Sequence, residues 1–186
     1  MPITTLDPQT ALVVIDLQQG MRSMKLIHPL PEIVAHACDL IAAFRRHALP
    51  VVLVNATGRP PGRTERGPRI DAFAADFAEL LPEMDRQPQD HVVTKNTPGA
   101  FTNTDLEAYL KRRCVTQIVL LGIASSNGVE ATARHAFELG LNLSFAIDAI
   151  TDGDPEAHAN SVTRIFPKLG EIGTAKAIID LLDHKE

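Results

Sequence analysis

The chain has 186 residues, 45% of them hydrophobic and 22% charged, with a formal net charge of -5 and an isoelectric point near 5.8. That length suffices for one domain, spanning 1–186, to bury a core without metals or disulfides. The acidic balance argues against nucleic acid or an anionic membrane as the main partner, because both select a basic surface, and leaves a small-molecule substrate as the expected ligand.

The opening text, MPITTLDPQT, has no basic stretch followed by an apolar run, and no apolar segment reaches the length of a membrane span. A soluble cytoplasmic protein is the expectation. Cys38 and Cys114 fall in apolar text, so both are read as free, buried thiols of a reducing compartment. Cys/His spacing suggests no zinc site, and neither a metal nor a cofactor is expected.

In chain order, short β-branched runs alternate with longer helical patterns, which predicts βαβ units around a parallel sheet. The strands are Ala11 to Asp16, Val51 to Asn55, His91 to Lys95, Gln117 to Gly122 and Leu143 to Asp148, with a short sixth near Glu171 to Thr174. Their unbroken apolar text marks strands covered on both faces. Helices are predicted over Pro31 to His47, Asp105 to Arg112, Val129 to Leu139, Pro155 to Phe166 and Ala175 to Asp183. The first ends in cations that suit the helix dipole, and Asp154 with Pro155 is a strong start signal for the fourth. Between Ala56 and Phe73 the rhythm breaks for a segment with three prolines, three glycines and four arginines (Arg59, Arg63, Arg66 and Arg69). It is too long for an ordinary βα connection, and is read as a lid over the strand ends that serves an anionic site, against a plain solvated loop.

Ligands of open parallel sheets bind beyond the carboxyl ends of the strands. The polar residues closing the predicted strands, Asp16, Asn55, Lys95 and Asp148, therefore collect at one edge. Asp16 is a candidate general acid or base, with a helix cap as the plain alternative. Lys95 is an exposed edge lysine, or, if its strand neighbours that of Asp16, a charge that sets the protonation of Asp16 and binds a substrate carboxylate. After Gly122, the turn Ala124, Ser125, Ser126, Asn127 leads into a helix whose free N–H groups suit an anion. Asn127 and Glu130 resemble a variant capping box, which explains those residues but leaves Gly128, a poor helix former, unexplained. Asp148 and Asp152 read as caps or turn formers, His135 and His158 as structural, and a Ser125 or Ser126 nucleophile lacks an evident base. The candidate substrate-binding set is Gln18, Asn55, Arg59, Phe101, Ala124, Ser125 and Asn127.

Four stretches, ALVVIDLQQG around Asp16, VVTKNTPGAFTNTDLEAYL around Lys95, VTQIVLLGIASSNGVEATARHAFELG, and AIDAITDGDPEAH, together resemble the isochorismatase-like hydrolases, also called cysteine hydrolases, along nearly the whole chain. The resemblance implies a three-layer α/β/α, Rossmann-like fold with a six-stranded parallel sheet, and a dimer or higher homo-oligomer. It matches Asp16 and Lys95 to two members of an Asp-Lys-Cys triad and puts Gly128 at the cysteine. The Asp-x-His metal motif of nicotinamidases is absent. Isochorismatases are similar in lacking the cysteine, since cleaving a vinyl ether needs a proton on carbon and a water, with no acyl-enzyme. The implied activity is hydrolysis of a small anionic substrate, with Asp16 as proton donor and Lys95 as its electrostatic partner. A non-catalytic binding protein and a serine-dependent amidase are the alternatives. The resemblance also implies a cis peptide between Ile123 and Ala124.

Overall fold

The computed structural model describes residues 3–65 and 73–184. Six strands, β1 (Thr10–Ile15), β2 (Val51–Ala56), β3 (His91–Lys95), β4 (Gln117–Ile123), β5 (Asn142–Thr151) and β6 (Glu171–Gly173), form one parallel sheet in the order β3-β2-β1-β4-β5-β6. Every residue of β1 and β4 is buried, as their continuous apolar text requires of strands covered on both faces. Each fully buried Val, Leu or Ile side chain in such strands stabilises the fold by about 1.5–3 kcal/mol.

The helices are α1 (Leu30–Arg46), α2 (Leu106–Arg112), α3 (Glu130–Glu138), α4 (Pro155–Asn160), α5 (Phe166–Leu169) and α6 (Ala175–Asp183). On one side of the sheet α1 packs against α6, and α3 packs against α5 on the other. This is the outcome of right-handed crossovers that start at the middle of the sheet and run outward in both directions. No helix among the described residues is long and apolar enough to cross a membrane.

Two predicted elements are built differently. The helix expected over Pro155 to Phe166 is interrupted by a π turn at Ser161–Ile165 before α5, where Pro167 removes an amide that an unbroken α-helix would need. β5 continues past Asp148 to Thr151, and its register against β4 jumps from Leu120↔Phe145 to Gly122↔Ile150. Asp148 is thus inside β5, where its Oδ1 accepts the Ala175 amide at 2.7 Å and caps α6.

α1, α2 and α3, each of which precedes a strand, end in the same way. Ala48, Cys114 and Gly140 adopt positive φ just past the helix, their amides return to Arg45, Lys111 and Phe137, and the amides of Leu49, Val115 and Leu141 return to Phe44, Leu110 and Ala136. These paired bonds are the Schellman motif, with the apolar residue after it packed inward. The motif corrects the reading of the cysteines: both are free, but Cys114 occupies the solvent-facing left-handed position and is exposed, and Cys38 is only partly buried.

Candidate active site

The connections that leave the neighbouring strands β1 and β4 run in opposite directions along the sheet, and the point where they part is the crevice an open parallel sheet offers a ligand. Asp16 leaves the end of β1 with φ +54°, its amide bonded to the Val54 carbonyl. Lys95 closes β3. The two strands are not neighbours, because β2 lies between them, yet the long lysine side chain crosses above β2 to reach Asp16 Oδ2 at 2.7 Å. Lys95 Nζ also donates to the Thr97 carbonyl at 3.3 Å. Both side chains are enclosed, Lys95 at 2% and Asp16 at 9% exposure. Burial pushes the Asp16 carboxyl up to about 6, against the opposing pull of the Lys95 charge and hydrogen bond. Asp16 Oδ1 is buried with no hydrogen-bond partner.

Beyond β4, the peptide between Ile123 and Ala124 is cis and the chain turns through a π-helical segment, Ser125–Val129, into α3. Gly122, at φ +117°, lies against β1 so closely that a Cβ there would meet the Ile15 carbonyl oxygen at 2.0 Å. That close approach brings the turn over Asp16. Gly128 is buried, and a Cβ on it would lie 3.0 Å from Ile15 Cγ2, 3.2 Å from the Ile123 carbonyl oxygen and 3.4 Å from Asp16 Oδ2. A side chain at 128 would therefore reach the Asp16 carboxyl directly.

The turn is held from two sides, by Thr132, which the sequence did not mark, and by Asp152, read there as a cap or turn former. Thr132 Oγ1 donates to the Gly128 carbonyl at 2.7 Å and accepts the Ala100 amide at 3.1 Å, joining the loop after Lys95 to the first turn of α3. The spacing of four between Gly128 and Thr132 is a detectable signal, since a threonine hydroxyl can bond back one helical turn. At the other side, Asp152 just beyond β5 accepts the Ser126 amide, the Ser126 hydroxyl and the Ser125 hydroxyl, each at 2.8 Å, on Oδ2. Burial alone would raise the Asp152 carboxyl, but these bonds hold it below its ordinary value. Asp152 is thus a cap, as read from sequence. The expected capping box does not form, for Glu130 accepts instead from Arg134 and Ser161. The Ser126 amide expected to be free for an anion is occupied by Asp152.

Asp16, Lys95 and Gly128 meet, and Ala124, Ser125 and Asn127 share the adjoining turn, with Ala124 partly buried, Ser125 fully buried and Asn127 exposed. Of the other predicted residues, Gln18, Asn55 and Phe101 are engaged within the fold and Arg59 is exposed. Gln18 is fully enclosed, its amide bonded to both backbone groups of Ala56 and to the Phe77 carbonyl, so it joins the chain after β1 to the end of β2 and to the loop at Phe77. Asn55 accepts from Thr94 Oγ1 at 2.7 Å and donates to Ala78. Since adjacent strand residues point to opposite faces, Asn55 shares a face with Thr94 and points away from that of Lys95. Phe101 is buried against the His135 ring at 5.0 Å and lines a small crevice with Leu110, Val115 and Leu141 near the amino ends of β4 and β5. Arg59 and Arg63 are exposed in a loop that starts with Thr57 bonded to the Lys95 carbonyl, whereas Arg66 and Arg69 lie outside the described residues.

The isochorismatase domain family matches residues 10–177. The isochorismatase family protein YwoC of Bacillus subtilis is 38% identical over 180 residues, 92% of this chain and 93% of that protein. YecD of Escherichia coli O157:H7, described likewise, is 37% identical over 182 residues, 93% of this chain and 96% of its own. The structure of an isochorismatase family protein from Burkholderia thailandensis superposes with a TM-score of 0.91 at 38% identity, covering 96% of this chain and 98% of that one. The Asp16–Lys95 pair at the sheet's switch point, the fold around it and these similarities agree: the chain belongs to the isochorismatase family.

Proposed function

We propose that this protein is a hydrolase of a small anionic substrate that works without a covalent intermediate, and that the vinyl ether of isochorismate is the leading substrate. The observation that carries this reading is Asp16: a buried carboxyl held up to about 6, with one oxygen unpartnered, beside a residue that has no side chain. A carboxyl in that state can hold a proton near neutral pH and deliver it. In the proposed reaction the Asp16 proton goes to the terminal vinyl carbon, water adds to the resulting oxocarbenium carbon, and the hemiketal collapses to an alcohol and a keto acid. Addition of water to the cation releases the proton that restores Asp16, and in the collapse the hemiketal hydroxyl proton passes to the leaving alcohol oxygen. Lys95 stabilises the carboxylate left after the first transfer.

Gly128 stands, on this reading, where amidases of the family carry cysteine, and the 3.4 Å approach of its would-be Cβ to Asp16 supports that placement. The enclosure of Ser125, whose hydroxyl is bonded to Asp152, counts against a serine nucleophile. The test is turnover of isochorismate against a panel of amides. Release of pyruvate from isochorismate by wild type, with a loss of about a hundredfold to ten-thousandfold in Asp16→Asn, is expected. Normal turnover by Asp16→Asn would overturn the general-acid role. An inert wild type whose Gly128→Cys variant hydrolyses amides would identify a chain that lost its nucleophile.

A further inference from the structure

Beneath the turn that carries Gly128, a second group of titratable side chains takes no part in the chemistry proposed above. Ser125 Oγ lies 2.8 Å from Asp152 Oδ2 and 3.0 Å from Nδ1 of His158, a residue of α4. His28 meets His158 edge to face at 5.1 Å and is itself placed by Thr151, whose Oγ1 lies 3.1 Å from its Nδ1. A serine hydroxyl has a single proton. Asp152 is held in its ionised form and has no hydrogen to offer, so the 2.8 Å contact requires the Ser125 proton. The remaining contact is a hydrogen bond only if His158 carries its proton on Nδ1. The direction of the chain is therefore fixed: His158 Nδ1–H to Ser125 Oγ–H to the Asp152 carboxylate.

We propose that His158 is a positioning residue, which, as the Nδ1–H tautomer, locks the Ser125–Val129 turn through Ser125 and so keeps Gly128 pressed against Asp16 and water out. The proposal rests on the reading of Asp16 as the acid. Its logic is local: the turn's backbone forms one wall of the Asp16 enclosure, Ser125 is fully buried within that turn, and its hydroxyl is satisfied only while both Asp152 and His158 hold it. Loosening the turn admits water to the Asp16 carboxyl and removes the burial that raises it. The charged and titratable groups facing His158 are Asp152 from the end of β5 and His28 from the loop before α1.

Two substrate-free measurements test this. Nitrogen-15 spectra of the histidine rings are expected to show neutral His158 with its proton on Nδ1 in wild type, and on Nε2 in Ser125→Ala; an Nε2–H ring in wild type would overturn the relay. Carboxyl carbon spectra follow the titration of Asp16. In His158→Gln, which offers a donor only at the position of Nε2, Asp16 is expected to titrate about one pH unit or more lower. In His158→Asn, which restores a donor at the position of Nδ1, it is expected to stay near the wild-type value. Unchanged Asp16 titration in both variants, or an equal fall in both, would reduce His158 to a packing residue and end the proposal. Neither measurement uses turnover, so failure to hydrolyse isochorismate would overturn the proposed function alone.

Discussion

At the scale of single residues, the state of Asp16 decides what the site can do. Its carboxyl is raised because burial outweighs Lys95, so the acid form is present below about pH 6 and lost above it. If Asp16 is the proton donor, kcat/KM measured across pH is expected to be level below about 6 and to fall about tenfold per unit above, because this quantity reports the free enzyme. A profile that rises through pH 6 would assign Asp16 the role of base. Gly128 is governed by space. Gly128→Ala brings a methyl to 3.0 Å from Ile15 Cγ2 and 3.2 Å from the Ile123 carbonyl oxygen, and only the isoleucine side chain can give way. A loss of about 1–3 kcal/mol in unfolding free energy is expected from such overpacking, read by denaturant titration.

At the scale of elements, the helix ends make the plainest case for what sequence conceals. Gly140 is a legible stop signal, but Ala48 and Cys114 end helices in the same left-handed geometry with side chains that disfavour it. Ala48→Gly and Cys114→Gly are therefore expected to raise unfolding free energy by about 0.5–1 kcal/mol each, while Gly140→Ala lowers it by a similar amount. Equal stability of all three variants and wild type would show the strain is relieved elsewhere. The strands were readable because burial on both faces leaves apolar text with no alternation. Their limits fall within a residue of the sequence reading except at the end of β5, where Asp148 looks like a strand end but is a polar residue turned toward α6 from mid-strand. Asp152, read as a cap or turn former, sits just beyond the true end and caps the turn beneath Gly128.

At the scale of the whole molecule, the sheet order explains which site residues could be found from sequence. Asp16 and Lys95 close apolar strands, so a polar residue at the end of buried text marked both. Gln18 and Phe101 stand close to them in sequence and Asn55 closes a strand as they do, but these three side chains bond or pack within the fold, a difference set by face and packing that linear text does not carry. The edge of the sheet nearest Lys95 is pinned to α1 by Arg45, which pairs with Asp90 and also donates to the carbonyls of Met84 and Asp85. The Asp90 side chain is enclosed, and it accepts the Gln87 amide as well. Asp90→Ala leaves the guanidinium without its counter-charge, and a loss of about 3–5 kcal/mol on unfolding is expected; a loss below about 1 kcal/mol would mean that β3 is held by the sheet alone.

The placement of Asp16 and Gly128 on the two central strands has a temporal side. Asp16 leaves the ribosome early, and the wall that encloses it is made long afterwards, when the chain through Gly128 has emerged and β4 has paired with β1. Until then Asp16 is an ordinary wet carboxylate, ionised at cellular pH and unable to deliver a proton. If Asp16 is the proton donor, nascent chains and fragments that stop before β4 are silent whatever they bind, and activity waits for the pairing of β4 with β1 and for the contacts from Asp152 and His158 that hold the turn above it.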